Sequence, residues 1–213
     1  MSVSGDVVEE AVALRERSLS VVRPRDAEAL LDEDAFDEEE YLPYWAELWP
    51  SGVALARRVS ARALRGARTV ELGCGLGLPS VAAALAGGRA LATDWSPDAL
   101  PFVLENARRN DARVGVLRVG WERPSPLVAR GPFDLVLAAD VLYERRNVAL
   151  LLDLLPRLLS PRGEVWLADP GRPPAPAFLA AAEERFSVAS SPDPQHPAVV
   201  HHTLRALAPA PPG

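Results

Sequence analysis

The stretch TVELGCGLGLPS, from Thr69 to Ser80, decides the fold of this chain. Its first residues, TVELG (Thr69–Gly73), predict a buried strand. A cluster of glycines follows, and then PSVAAALAGG predicts a helix that ends at Gly87 and Gly88. The next segment, RALATD (Arg89–Asp94), predicts a second strand. Strand, glycine turn, helix and strand form the opening unit of a doubly wound α/β sheet.

The rest of the chain continues this alternation. It predicts three more sheet strands, at Val114–Val119, Phe133–Asp140 and Gly163–Asp169, and a final antiparallel pair at Phe186–Ser191 and Ala198–Leu207. The predicted helices are Gly52–Leu64, Pro97–Arg109, Asn147–Leu159 and Phe178–Arg185. We therefore expect an α/β fold, a doubly wound Rossmann-like sheet with helices on both faces. Ligands of such sheets bind outside the carboxyl ends of the strands, so the candidate site residues are those that follow each strand.

The first 50 residues form a predicted N-terminal extension that packs on the ligand site. Residues 1–20 are consistent with a short amphipathic helix, and Ser18–Pro24 predicts a short strand that ends at its proline. The acidic stretch Asp32–Glu40 is either a solvated segment or a lip that attracts a cationic substrate. We predict one domain over residues 51–207 and a disordered tail over residues 208–213.

Composition narrows the function classes. The chain has 213 residues, a net charge of −6 and one cysteine, and all 23 of its basic residues are arginine. One cysteine excludes a disulfide framework and a cysteine-rich metal site, and we expect no metal. The acidic balance argues against a nucleic-acid face, and no apolar run is long enough to span a membrane. We expect a cytoplasmic protein, and the absence of lysine and isoleucine suggests a GC-rich, bacterial coding sequence.

The glycines of the loop have the wrong spacing for a dinucleotide. Gly73, Gly75 and Gly77 form G-x-G-x-G, whereas the dinucleotide fingerprint is G-x-G-x-x-G. Pro79 also removes a backbone N–H from the helix turn where a pyrophosphate would bind. The G-K-[ST] of a P-loop is missing as well. The spacing thus disfavours both NAD and nucleoside triphosphates.

The acid that ends the second predicted strand favours a different ligand. Asp94 stands where a carboxylate can accept hydrogen bonds from both ribose hydroxyls of an adenosine. The site therefore suits a nucleoside that lacks a pyrophosphate. S-adenosylmethionine (SAM) is such a ligand, since it joins adenosine to a sulfonium and an amino-acid tail.

Several motifs resemble a known family. VELGCGLGLPSVA, ATDWSPDAL with ENARRN, and FDLVLAADVLYE resemble the class I, seven-strand SAM-dependent methyltransferases. PYWAELWPSG, DVLY and LADPGRP are similar to the lysine methyltransferase group that includes the electron-transfer-flavoprotein β-subunit lysine methyltransferase. The resemblance covers residues 42–173. It implies the strand order 3-2-1-4-5-7-6, with the last strand antiparallel.

The resemblance also implies a cofactor site. It places the methionine part against Glu71, Gly73 and Gly75, the ribose on Asp94, the adenine edge by Trp95 and Trp121, and the cofactor entrance by Trp49. One position departs from the family pattern, because Gly120 stands where an acid often precedes the tryptophan. That departure puts an acidic contact with the adenine amino group in doubt.

Two motifs at later strand ends would meet the substrate. In Asp140–Tyr143, we expect Asp140 to orient an amine and Tyr143 to line its channel, and the two are the predicted catalytic residues. The alternative is that Asp140 caps the next turn and Tyr143 is a core residue. In DPGRP (Asp169–Pro173), the chain forms either a turn fixed by proline or a substrate-side wall on which Arg172 contacts an acidic partner.

The resemblance implies a SAM-dependent N-methyltransferase, with protein lysine as the expected acceptor. An electron-transfer-flavoprotein subunit is the nearest substrate by resemblance. Two alternatives stay open: an enzyme that methylates a small amine such as nicotinamide, and a SAM-binding protein without turnover. We expect a monomer that binds neither nucleic acid nor a membrane.

Overall fold

The computed structural model describes residues 6–27 and 43–207. The acidic stretch Asp32–Glu40 and the predicted tail over residues 208–213 lie outside these ranges, so both interpretations stay predictions. The predicted domain boundaries at residues 50 and 207 stay predictions as well.

The described chain begins with an antiparallel hairpin of β1 (Val7–Ala13) and β2 (Ser18–Pro24). The strand expected at Ser18–Pro24 is confirmed, whereas the helix expected within residues 1–20 is wrong. In β1, Glu9, Ala11 and Ala13 are exposed while Val12 is buried. This period of two belongs to a strand with one covered face.

The central sheet has seven strands in the order β5-β4-β3-β6-β7-β9-β8. Their bounds are Arg68–Leu72 (β3), Arg89–Asp94 (β4), Val114–Arg118 (β5), Phe133–Ala139 (β6), Leu159–Asp169 (β7), Phe186–Pro192 (β8) and Val200–Ala206 (β9). Strands β3 to β7 pair in parallel, and β9 runs antiparallel to both of its neighbours. Counted from β3, this is the predicted order 3-2-1-4-5-7-6 with the last strand antiparallel, which confirms the predicted fold class.

Helices cover both faces of the sheet. They are α1 (Pro50–Ser60), α2 (Leu78–Leu85), α3 (Ala99–Arg109), the short α4 (Ser125–Val128), α5 (Arg145–Leu158) and α6 (Ala175–Ala182). Side chains of β7 alternate between two hydrophobic cores, Trp166 and Ala168 on one face, Val165 and Leu167 on the other. A central strand buried on both faces explains why this segment is so apolar.

Two asparagines fix the hairpin to the sheet domain. The buried Asn106 of α3 accepts the N–H of Val22 at 2.7 Å and donates to the carbonyls of Val22 and Leu76 at 3.2 and 3.1 Å. Asn110 makes the same exchange with Ser20, at 3.0 and 2.7 Å. Because Leu76 belongs to the glycine loop, Asn106 connects the hairpin directly to the predicted ligand site.

Within residues 6–27 and 43–207, the helices are too short or too polar to cross a membrane. The same residues contain no group of three or more His, Cys, Asp or Glu side chains that could hold a metal ion.

Candidate functional site

A cavity of about 880 Å³ lies at the carboxyl ends of the parallel strands. Its lining includes all nine predicted site residues: Trp49, Glu71, Gly73, Gly75, Asp94, Trp95, Trp121, Asp140 and Tyr143. Clefts of this size hold small-molecule ligands and cofactors in other proteins. The sequence therefore predicted which residues come together, while their individual roles stay predictions.

The glycine loop that follows β3 needs glycine for conformational and steric reasons. Gly75 and Gly77 have left-handed backbone angles, with φ of +48° and +75°. A Cβ atom on Gly75 would lie 3.1 Å from the carbonyl oxygen of Trp45, and one on Gly77 would lie 2.8 Å from Val103. Gly77 also lines the cavity, although the sequence analysis did not include it among the site residues. Its place as the third glycine of the G-x-G-x-G motif is the sequence signal that could have identified it.

Two buried carboxyl groups hold this loop. Glu71 accepts the N–H of Ser80 at 2.8 Å and its hydroxyl at 2.5 Å. Asp94 accepts the N–H of Gly75 at 2.9 Å and that of Ser96 at 3.0 Å. Burial raises the pKa of Glu71 to about 8 and also raises the pKa of Asp94. The backbone of Trp95 also hydrogen-bonds to Asp94, so three of the four lone pairs of the carboxylate are engaged and one stays available for a ribose hydroxyl.

The side of the cavity after β4 and β5 presents two indoles and one carboxylate. Trp95 is 42% exposed, and the ring of Trp121 lies 3.5 Å from the position of a Cβ on Gly73. A Cβ on Gly120 would lie 2.9 Å from Oε2 of Glu122. A carboxylate thus stands beside Gly120, where the family resemblance had left an acidic contact in doubt. Sequence reasoning missed Glu122 because it follows the tryptophan rather than preceding it.

Asp140 lies at the end of β6 in a left-handed conformation, with φ of +56°. Its N–H donates to the carbonyl of Ala168 at 2.9 Å, which fixes it to the neighbouring strand β7. Its carboxylate accepts two hydrogen bonds from the guanidinium of Arg172, at 2.6 and 3.0 Å. Arg172 therefore pairs with a carboxylate of its own chain, an arrangement that neither interpretation of DPGRP included.

The turn after β7 directs Arg172 into the cavity. Oδ1 of Asp169 accepts the N–H groups of Gly171 and Arg172 at 2.7 and 2.8 Å. Gly171 has φ of +88°, a conformation that suits glycine. DPGRP is thus a tight turn, and it also supplies a side chain to the cavity wall.

Three aromatic rings line the mouth of the cavity near Asp140. The ring of Tyr44 lies 5.7 Å from that of Tyr143 and 6.2 Å from that of Trp49, between centroids. Nε1 of Trp49 donates to the carbonyl of Tyr44 at 2.7 Å, and Arg172 lies 5.7 Å from the Trp49 centroid. Tyr143 is 38% exposed, so it is not a core residue. Burial of its hydroxyl end raises the pKa of Tyr143 to about 12, which keeps the phenol protonated at neutral pH.

Relatives of the chain identify its family. A model of the lysine methyltransferase family matches residues 35–186, more than half of the sequence. This chain belongs to the lysine methyltransferase family. The electron transfer flavoprotein beta subunit lysine methyltransferase of Xenopus laevis is 34% identical to this member over 136 residues, which cover 61% of this chain and 53% of the relative. The protein N-lysine methyltransferase METTL21A of Danio rerio is 33% identical over 151 residues, which cover 67% and 69%.

This lysine methyltransferase family member spans about half the length of the first of these relatives. Its fold is also that of the ribosomal protein L11 methylase of Lactobacillus delbrueckii subsp. bulgaricus, with a TM-score of 0.57 and 21% identity. That likeness covers 73% of this chain and 78% of the methylase. At this level of identity it shows the shared class I methyltransferase fold.

The cofactor of this family is SAM, and the residues of the cavity fit it. Gly73 and Gly75, which both have positive φ, present backbone without side chains to the cavity. Asp94 retains acceptor capacity for a ribose hydroxyl, and the indoles of Trp95 and Trp121 offer flat surfaces for a base. Asp140 and the rings of the cavity mouth line the same cavity.

Proposed function

We propose that this protein transfers a methyl group from SAM to the ε-amine of a lysine in a protein substrate. One observation supports this most strongly. The glycine loop held by Asp94 and the wall formed by Asp140 and Tyr143 lie in one cavity, at the ends of neighbouring strands. A nucleoside cofactor and an amine can therefore meet without a change of fold.

The residues of the cavity would divide between cofactor and substrate. Glu71 fixes the loop that meets the methionine part, Asp94 binds the ribose, and Trp95 and Trp121 meet the adenine. Bound SAM supplies an electrophilic methyl group, so the amine lone pair forms the N–C bond while the C–S electrons return to sulfur and S-adenosylhomocysteine leaves. The protein needs only to align the amine and exclude water from the path of attack.

The substrate side must hold a neutral amine and tolerate the cation that it becomes. Asp140 still has a lone pair on each oxygen after it accepts from Arg172, so it can accept an amine N–H and orient the nitrogen. The rings of Tyr44, Trp49 and Tyr143 favour the developing ammonium through cation–π attraction. The proton that the lysine loses before attack can pass to water at the open mouth.

The identity of the protein substrate is a narrower proposal. The beta subunit of electron transfer flavoprotein is the first candidate, because the Xenopus laevis relative is named for it. A small amine of the nicotinamide type and a SAM-binding role without turnover are the alternatives. A cytoplasmic location, a bacterial source and a monomeric state stay predictions from the sequence.

The test uses purified protein, radiolabelled SAM and a lysate of a strain that lacks this gene. We expect a discrete labelled protein band that Asp140→Ala loses while its SAM binding and thermal unfolding are retained. Because the chain has no lysine, its own band cannot carry lysine label. Label found only in the small-molecule fraction would indicate that the enzyme methylates a small amine instead. No label, with SAM binding confirmed by calorimetry, would contradict the proposal.

A further inference from the structure

Arg172 has contacts with three parts of the cavity wall. Its guanidinium donates two hydrogen bonds to Asp140, its backbone N–H is held by Asp169, and its charge lies over the ring of Trp49. Asp140 is buried and the Arg172 side chain is one-third exposed. The hydrogen bonds that Arg172 donates to Asp140, together with the nearby Asp169, raise the pKa of Arg172, so its guanidinium stays charged.

This pair changes what Asp140 offers to an incoming amine. A bare, buried carboxylate would bind an ammonium strongly and hold it protonated, because an opposite charge at short range favours the charged form. A carboxylate already paired with a planar guanidinium fork presents little net charge. It can still accept an N–H from a neutral amine, whereas the adjacent guanidinium disfavours an ammonium.

We propose that Arg172 is a positioning residue that neutralises Asp140 and thereby makes the cavity select the neutral form of the substrate amine. This inference rests on the proposed lysine methylation and extends it. A neutral amine is the form that carries the lone pair for attack. The Arg172–Asp140 pair would thus lower the pH at which the bound lysine becomes reactive, without a general base that removes its proton.

Two glutamates that line the cavity are each paired with an arginine. Glu47, which precedes α1, lies 3.7 Å from Arg23, and Glu144 is paired with Arg146. The raised pKa of Tyr143 keeps its phenol neutral at neutral pH. Among the described residues, Arg172 is the arginine whose guanidinium is hydrogen-bonded to Asp140.

The charged residues at the remaining strand ends lie on the cofactor side of the cavity or in the turn after β7. Asp94 and Glu71 hold the glycine loop, and Glu122 and Arg123 follow β5 beside Trp121. Asp169 lies near the pair: its Oδ1 binds the backbone of the turn, its Oδ2 is buried without a hydrogen-bond partner among the described residues, and burial raises its pKa. Because Asp140 and Arg172 both act on Asp169, the effect of Arg172 is separated by comparing its single variant with the double variant that also replaces Asp140.

The first experiment measures the pH profile of kcat for the lysine-containing target that the wild-type protein labels. We expect Arg172→Met to shift the midpoint of the acidic limb to a pH about one unit higher or more. The reason is that the unpaired Asp140 then stabilises the ammonium form of the substrate lysine. At neutral pH, kcat should fall about tenfold while KM for the protein substrate is unchanged or lower. Arg172→Lys should keep the wild-type midpoint, because it keeps the charge.

The double variant Asp140→Asn with Arg172→Met removes both charges, so its midpoint should return toward that of the wild type. Arg157→Met, which breaks an exposed ion pair with Asp153 on α5, is the matched control and should change nothing. An unshifted limb in an active Arg172→Met enzyme, with SAM affinity intact, would overturn the inference while lysine methylation stands.

A second experiment needs no protein substrate. It measures binding of n-butylammonium, the lysine side chain in isolation, to protein saturated with S-adenosylhomocysteine, through the fluorescence of the tryptophans that line the cavity. We expect Arg172→Met to bind this cation about tenfold more tightly than the wild type at neutral pH. Equal affinity would overturn the inference. Failure of the wild type to methylate any lysine would instead refute the proposed function, and the binding comparison would still decide the role of Arg172.

Discussion

The backbone N–H of Gly75 donates a 2.9 Å hydrogen bond to Oδ2 of Asp94, which joins the glycine loop after β3 to the end of β4. The acid expected to bind the ribose thus also fixes the loop expected to bind the methionine part. Binding of the two parts of the cofactor should therefore be coupled through one carboxylate.

Asp94→Ala should raise the Kd for SAM by roughly ten- to a hundredfold, since a hydrogen bond to a charged group is worth about 1.5–3 kcal/mol. Asp94→Asn, which keeps one acceptor oxygen, should fall between the wild type and the alanine variant. Isothermal titration calorimetry measures both, with Asp153→Ala on the exposed face of α5 as the control. Wild-type affinity in folded Asp94→Ala would exclude the ribose role.

Glu122 should contribute to SAM binding from the other side of the cavity. Glu122→Ala should weaken binding by up to about tenfold, the effect of one hydrogen bond to an adenine amino group. Thermal unfolding should change little, because the side chain is exposed. The exposed Glu183 at the end of α6 supplies the control substitution Glu183→Ala. An unchanged Kd for Glu122→Ala would show that the carboxylate beside Gly120 does not meet the cofactor.

Gly77→Ala should destabilise the protein more than Gly66→Ala does. Both glycines have positive φ, +75° and +83°, so an alanine at either position carries a similar backbone cost of about 1–2 kcal/mol. Only the Cβ on Gly77 would collide with another side chain, Val103, at 2.8 Å. Urea unfolding of the two variants isolates this contact, and equal losses of stability would mean that Val103 moves aside freely.

Glu71 should make the stability of the protein fall as pH rises. Its pKa is about 8 in the folded protein against an ordinary value of 4.5, so the folded state holds an extra proton between these values. Below pH 4.5 both states are protonated, and the destabilisation develops as pH increases toward 8. Glu71→Gln should therefore gain stability relative to the wild type by about 1.4 kcal/mol per pH unit in this window. Urea unfolding at several pH values measures the difference, and a pH-independent difference would contradict the prediction.

The sequence predicted the sheet and most of the residues around the cavity because both follow from strand ends, whereas Trp49 and Tyr143 came from the family resemblance. Buried strands such as Phe133–Ala139 are apolar apart from the exposed Asp134, and in a doubly wound sheet their carboxyl ends meet on one edge. Residues that are distant in sequence, such as Glu71 and Asp140, thereby come to line one cavity. No knowledge of side-chain packing was needed for that inference.

The contacts that determine the chemistry were harder to predict. The Arg172–Asp140 pair joins residues 32 positions apart, and its formation depends on the turn that Asp169 holds after β7. The first strand of the hairpin was missed because Val8 and Val12 are four positions apart, a spacing that also fits one face of a helix. Its backbone hydrogen bonds are made by pairing with β2. Asn106 then attaches that hairpin through two hydrogen bonds with Val22 and reaches Leu76 of the glycine loop through a third, none of which sequence periodicity indicates.

The measurement that tests the central claim most directly is mass spectrometry of the protein target labelled by the purified enzyme, with SAM deuterated at the methyl group. The account predicts one or more deuterated methyl groups on the side-chain nitrogen of a specific lysine, absent when Asp140→Ala replaces the wild type. Deuterated methyl on another residue type, or on small molecules alone, would contradict the claim that this cavity methylates protein lysine.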